Sequence, residues 1–188
     1  TTATHSDEYG SSGAYFTVWN DGRNGTNDIY GANVPVNAAV NATISSYLIS
    51  ESANKQVAPA IASCDGKYLA VWSDTRNQGV TGEDIYGALL DGTGAVIGSA
   101  FQISNGIGAE THPAAACTFG KEFLVVWEDT RNANSDIYGA RVSVSGAVLD
   151  PSGLPIAASA NNEVTPSIAG GLVGSGYGFL VAYDDPSN

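Results

Sequence analysis

The sequence predicts an all-β protein of the β-propeller type, an array of tandem four-stranded antiparallel blades of which about three and a half are present. Three observations predict it. Aromatic anchors recur at long, even intervals: Trp19, Trp72, Trp127 and Tyr183 stand 53, 55 and 56 residues apart. The first three are each followed by one tetrapeptide, Asp-Ile-Tyr-Gly, at Asp28–Gly31, Asp84–Gly87 and Asp136–Gly139. The composition, with 23 glycines in 188 residues and 43% hydrophobic residues, suits short strands joined by tight turns. Long helices would want more Leu, Glu, Lys and Gln.

The repeat aligns residue by residue. Tyr15-Phe-Thr-Val-Trp-Asn-Asp-Gly-Arg-Asn24 matches Tyr68-Leu-Ala-Val-Trp-Ser-Asp-Thr-Arg-Asn77 and Phe123-Leu-Val-Val-Trp-Glu-Asp-Thr-Arg-Asn132, and Phe179–Asn188 repeats its first half. Upstream echoes begin at Pro59, Pro113 and Pro166. The units run over 1–53, 54–107 and 108–161, with a half-blade at 162–188. In the second unit the strands are expected at about 61–64, Tyr68–Trp72, Ile85–Leu90 and Ala95–Ile103, parted by Asp65-Gly66 and by Asp91 to Gly94. The second strand is apolar throughout, as a strand covered on both faces should be. Stacking of the next blade is expected to cover Trp72. A β-solenoid is the rival architecture, with shorter periods.

Charge narrows the partners. Seven basic residues against nineteen acidic ones give −12, a field that repels nucleic acid and anionic membrane surfaces. No run of 18 apolar residues is present to insert in a bilayer. An extracellular or cell-surface location is expected. With no Met and Thr1-Thr2 at the start, the sequence reads as a processed or excised piece. Propellers close with four to eight blades. The partners expected are therefore further blades of a longer chain, or additional copies that self-assemble through the open ends.

Three of the four arginines, Arg23, Arg76 and Arg131, share one repeat position. Each follows an aspartate (Asp21, Asp74, Asp129) and precedes another (Asp28, Asp84, Asp136). The simplest chemistry is a structural clamp, the planar guanidinium gripping a carboxylate in two-pronged fashion. A ring of arginines binding an anion is the alternative, weakened by the acids beside each one. No cofactor is expected. Calcium, which favours several hard oxygens, stands as an alternative at Asp21, Asp28, Asp129 and Asp136.

Cys64 and Cys117 fall in matching segments and could form a disulfide, or remain two buried thiols. Asn24 and Asn41 head glycosylation sequons. His5 and His112 lack companions at zinc-ligand spacing. The acidic pairs Asp7-Glu8, Glu83-Asp84, Glu128-Asp129 and Asp184-Asp185 invite a two-carboxylate glycosidase reading, but three of them sit in the repeated turns. No catalytic residue is therefore expected. His112, Tyr177 and 161–178 break the repeat and point to a specialised surface.

The run Trp-x-Asp-x-Arg-Asn…Asp-Ile-Tyr-Gly, carried by Asp74, Arg76, Asp84, Ile85, Tyr86 and their equivalents, resembles the WD40-like repeats of TolB-type propellers. It departs from them in its longer period and in the glycine after the tyrosine, and Ser187 stands where the fourth arginine is due. The resemblance is closer to the long-blade variant of secreted microbial surface proteins. It implies a binding platform or scaffold. The function expected on these grounds is a non-enzymatic extracellular adhesion or scaffold module engaging a protein, a glycan or itself. The alternative is a segment of a carbohydrate-active propeller enzyme, a glycosidase or lyase.

Overall fold

Apolar runs bounded by Gly, Asp and Asn resolve into strands. A computed structural model describes residues 2–5, 14–35, 43–119 and 122–186. These residues form fourteen strands and no helix. The first blade comprises β1 (Thr2–His5), β2 (Ala14–Asp21), β3 (Asp28–Pro35) and β4 (Ser46–Ser50). The second holds β5 (Gln56–Cys64), β6 (Lys67–Asp74), β7 (Asp84–Leu90) and β8 (Val96–Ser104). The third holds β9 (Glu110–Thr118), β10 (Glu122–Asp129), β11 (Asp136–Ser143) and β12 (Leu154–Ala157). A two-stranded sheet, β13 (Val164–Val173) and β14 (Gly176–Asp184), follows. Each full blade is an antiparallel meander in chain order. The inner strands β1, β5, β9 and β13 pack successively against one another around an axis. The fold is an all-β propeller, as the repeat predicts.

Side chains along a strand alternate between faces, and a blade has a neighbour on each. Along β6, Tyr68, Ala70 and Trp72 join a core with Phe16, Val18 and Ile29 of the first blade. Leu69 and Val71 join a second core with Phe123, Val125 and Trp127 of the third. This double burial is why the strand reads as continuously apolar. It also corrects one expectation: Trp72 is covered by the preceding blade, not the next. Trp127 likewise faces the second blade, whereas Leu124 and Val126 meet Ile168, Phe179 and Val181 of the last sheet.

The glycine that ends each Asp-Ile-Tyr-Gly has a packing cause. A Cβ on Gly31 would lie 2.7 Å from Ile49 Cδ1, on Gly87 2.9 Å from Ile103 Cδ1, and on Gly139 2.9 Å from the Val125 carbonyl oxygen. The third strand touches both its neighbours too closely for any side chain there.

Blades are also bonded to one another. The backbone N–H groups of Gln56, Glu110 and Glu163 donate to the carbonyls of Asn27, Glu83 and Ser135 at 2.8, 2.7 and 2.7 Å. In each case the acceptor precedes the Asp of the earlier blade's tetrapeptide. The same residues reach serines of the preceding blade: Gln56 Nε2 donates to Ser50 Oγ at 2.9 Å, and Ser104 Oγ donates to Glu110 at 2.8 Å. Ser159 Oγ donates likewise to Glu163. At the opposite end of the inner strands a disulfide joins Cys64 of β5 to Cys117 of β9, with Cα atoms 5.6 Å apart.

Candidate functional site

Two constellations lie at one end of the propeller, where each second strand finishes and each first strand begins. The first repeats from blade to blade. Asp74, buried, accepts from Trp72 Nε1 at 3.1 Å, from Arg76 Nη2 at 2.6 Å and from Gln56 Nε2 at 2.9 Å on one oxygen. Its other oxygen takes the Arg76 backbone N–H and Nε, both at 2.9 Å. Burial opposes its ionisation, yet the hydrogen bonds from Arg76, Gln56 and Trp72 outweigh burial and hold the carboxyl below its ordinary range. The guanidinium lies over the Tyr86 ring, 4.0 Å from its centre, a cation–π contact. Asn77 Nδ2 then bridges Asp84, at 2.7 Å, and the Tyr86 hydroxyl.

The third blade repeats this set. Asp129 holds Trp127 Nε1, Arg131 N and the Arg131 side chain, Arg131 covers Tyr138 at 4.1 Å, and Asn132 reaches Asp136 and Tyr138. In the first blade Asp21, Trp19, Arg23 and Tyr30 do the same, at a more exposed site. There the Arg23 side chain holds the Asp21 carboxyl far below the carboxylate range. Pairing of Asp21 with Asp28, Asp74 with Asp84 and Asp129 with Asp136 across the hairpin sets the register that makes this possible. Asp28 accepts from Thr26 Oγ1 and the Ser52 N–H, and Asp136 from Asn132 and Asn134. A cation at these aspartates would meet the guanidinium already seated at Asp21 or Asp129. Among the described residues no three His, Cys, Asp or Glu side chains group as a metal site.

Glycosylation at Asn24 would engage the amide that now donates to the Tyr30 hydroxyl at 2.8 Å. Asn41, Asp7-Glu8 and Ser187 lie outside the described residues, as does the His5 side chain. Tyr177 stacks on Phe119, ring centres 4.4 Å apart, on the β13–β14 hairpin.

The second constellation does not repeat. Ala58, His112 and Thr165 hold equivalent places in β5, β9 and β13, each directly before a buried proline. All three have left-handed backbones, with φ of 50, 51 and 51°, and each sits at a break in strand register. With Pro59, Pro113 and Pro166 they line an open axial cavity of about 290 Å³. Two carboxylates bond to or lie beside residues of its wall. Glu128 and Asp184 follow the anchoring aromatic at the position that Asn20 and Ser73 fill in the earlier blades. Glu128 accepts from the Thr165 backbone N–H at 2.7 Å and lies 3.4 Å from His112 Nδ1. Asp184 accepts from the Thr165 hydroxyl at 2.6 Å.

In the sequence Glu128-Asp129 reads as one acidic pair of the repeated turn, and strand alternation separates the two residues. Asp129 shares its face with Trp127 and enters the clamp, whereas Glu128 faces the last sheet and the axis. Sequence reasoning also passed over Glu110. It sits between blades, accepts from Ser104, from the N–H groups of Gly106 and Ile85, and lies 3.5 Å from Arg131. Burial lifts its carboxyl to about 7, against the opposing pull of those hydrogen bonds. The matching places of Gln56, Glu110 and Glu163, each three residues before a repeated proline, were the signal available.

No family model matches the chain, and no curated protein does. Solved structures do. An endo-arabinase from Bacteroides thetaiotaomicron VPI-5482 superposes with a TM-score of 0.57 at 13% identity, over 96% of this chain and 69% of that one. An α-L-arabinofuranosidase from Lactobacillus brevis gives 0.58 at 13% identity, over 97% and 66%. An N-acetylgalactosamine deacetylase from F. plautii, in complex with blood group B trisaccharide, gives 0.60 at 11% identity, over 97% and 61%. The chain spans about two thirds of the length of these proteins. At such identity the likeness establishes the propeller fold and does not extend to the TolB-type family. Each of these three propellers is an enzyme. That finding runs against the expectation of a non-enzymatic scaffold or adhesion module and favours its alternative, a carbohydrate-active propeller.

Proposed function

We propose that the chain is part of a carbohydrate-active β-propeller enzyme that binds a sugar in the axial cavity and cleaves a glycosidic bond there. The observation that carries this reading is that His112 and Thr165, which break the repeat, line one cavity on an otherwise repeated frame, and that Glu128 and Asp184 are held against these two residues. A cavity of about 290 Å³ is at the small end of ligand sites and suits one sugar ring, the remaining units lying outside.

Glycoside cleavage needs two carboxyl groups, one to protonate the departing oxygen and one to act as base or nucleophile. Glu128 and Asp184 are the pair assigned here. His112, near Glu128, can lend a positive charge when protonated. The prolines fix φ behind the cavity and hold its wall rigid.

Asp184 lies on the face of β14 that carries Leu180, which is 72% exposed where its counterpart Leu124 is 7% exposed. In this reading a further blade covers that face, as the last sheet covers Leu124. The Cys64–Cys117 disulfide supports an extracellular setting. The clamp keeps its likeness to TolB-type repeats as a property of the blade, separate from the chemistry.

The test is a turnover screen of the purified protein on arabinan and other plant and mucin-type glycans, read as new reducing ends. Release of product that Asp184→Asn abolishes is the expected result. Absence of turnover on every glycan, or full turnover by that variant, overturns the assignment.

A further inference from the structure

We infer that Thr165 is a positioning residue that links the two carboxylates of the axial site, an inference that rests on the assignment of Glu128 and Asp184 just made. The backbone carries the first part of the argument. A β-branched residue with φ of 51° is a true outlier, and the α region is further disfavoured before proline. Such conformations persist only where their surroundings hold them, and they gather at functional sites.

The register shows what this conformation achieves. Val164 pairs with Asp184 and Ser167 with Ala182, so Thr165 and Pro166 leave the ladder. Released from β14, the Thr165 N–H crosses to the preceding blade and meets Glu128 at 2.7 Å. The hydroxyl has one proton, and it goes to Asp184 at 2.6 Å. One residue thus donates to both carboxylates, through backbone to one and side chain to the other. Thr165 itself lies in the cavity wall.

The equivalent residues cannot do this. Ala58 has no hydroxyl, and Ser73 stands where Glu128 does, with its own hydroxyl unpartnered. His112 offers a ring nitrogen to Glu128 instead. The same strained backbone therefore carries three side chains, and Thr165 alone couples two acids.

The test compares Thr165→Val, which keeps shape and N–H, with Thr165→Ser, which keeps the hydroxyl, and Thr165→Gly, which keeps the N–H and relieves the strain. The carboxyl ¹³C resonances of Glu128 and Asp184 are followed at one fixed pH. The Asp184 signal is expected to move in the Val and Gly variants and return in the Ser variant, with Glu128 little changed. On arabinan, or whichever glycan the screen identifies, kcat should fall about tenfold in the Val variant with KM unchanged, the scale of one hydrogen bond to a charged group. The Gly variant should melt no lower than wild type. An unmoved Asp184 signal in Thr165→Val, or a melting temperature that drops in Thr165→Gly, overturns the inference whether or not the protein turns over glycans. A moved and rescued signal in a protein with no turnover upholds the coupling and overturns only the enzymatic assignment.

Discussion

Glu128 and Asp129 are neighbours in sequence and belong to different regions of the molecule. Asp129 sits in a cassette built three times: Trp, Asp, Arg, Asn and Tyr locked by the same bonds at Asp21, Asp74 and Asp129. Glu128 is held against an axial ring, Ala58, His112 and Thr165, where the backbone repeats and the side chains do not. The difference teaches where to look for chemistry in a repeat protein. Residues that obey the period brace the hairpins, and residues that break it on an unchanged backbone are free to take a function. Pleating alone divides the two, because alternate side chains face opposite blades.

Breaking the bracing region should give the largest loss of stability. Asp74→Ala would leave the Arg76 guanidinium and the Trp72 and Gln56 donors without their buried acceptor. The expected cost is about 3–5 kcal/mol in denaturant unfolding; a change below about 1 kcal/mol would put the clamp on the surface in energetic terms. Next comes the staple at the far end of the inner strands. Replacing Cys64 and Cys117 together by Ala should cost about 2–4 kcal/mol while turnover of folded protein at the axis is preserved. Lost turnover at unchanged stability would mean the two ends are not independent.

A smaller effect separates blade junctions. Gln56 and Glu110 occupy the same place, but only Glu110 titrates. Its folded pKa of about 7 exceeds its ordinary value of 4.5, so the fold binds more protons than the unfolded chain between those pH values. Its contribution is intact below about pH 4.5 and is lost as pH rises through about 7. Glu110→Gln should therefore flatten the fall in melting temperature across that window and stabilise the protein at pH 8 by on the order of 2 kcal/mol. An identical pH profile in the variant would remove Glu110 from this role. Smallest of all, Arg76→Lys keeps the charge and loses the two-pronged grip and the stacking on Tyr86. It should cost about 1 kcal/mol, measured as a shift in denaturant midpoint.

Much of the frame was legible in the sequence. The even spacing of Trp19, Trp72 and Trp127 marks blades, and the lone arginine position marks the clamp, because those residue types recur unchanged. The glycine of Asp-Ile-Tyr-Gly could be seen but not explained, since its cause is Ile49 in one blade and the Val125 carbonyl in another. The blade-to-blade bonds of Gln56, Glu110 and Glu163 escaped because they vary in type and join elements that are distant in sequence. The axial site escaped for a sharper reason. Seeing Glu128 apart from Asp129 requires knowing which blade each face of β10 meets, and seeing Thr165 requires a backbone angle that no residue type announces.

The central claim is that two adjacent acids have separate duties, and one paired measurement tests it: the melting temperature and glycan turnover of Glu128→Gln beside those of Asp129→Asn. The account predicts that Glu128→Gln keeps its melting temperature and loses about 10²–10⁴ in turnover. It predicts that Asp129→Asn melts well below wild type while the molecules that remain folded still turn over glycan. If Glu128→Gln unfolds early with its turnover intact, and Asp129→Asn is stable but inactive, the roles assigned here are reversed and the account is wrong.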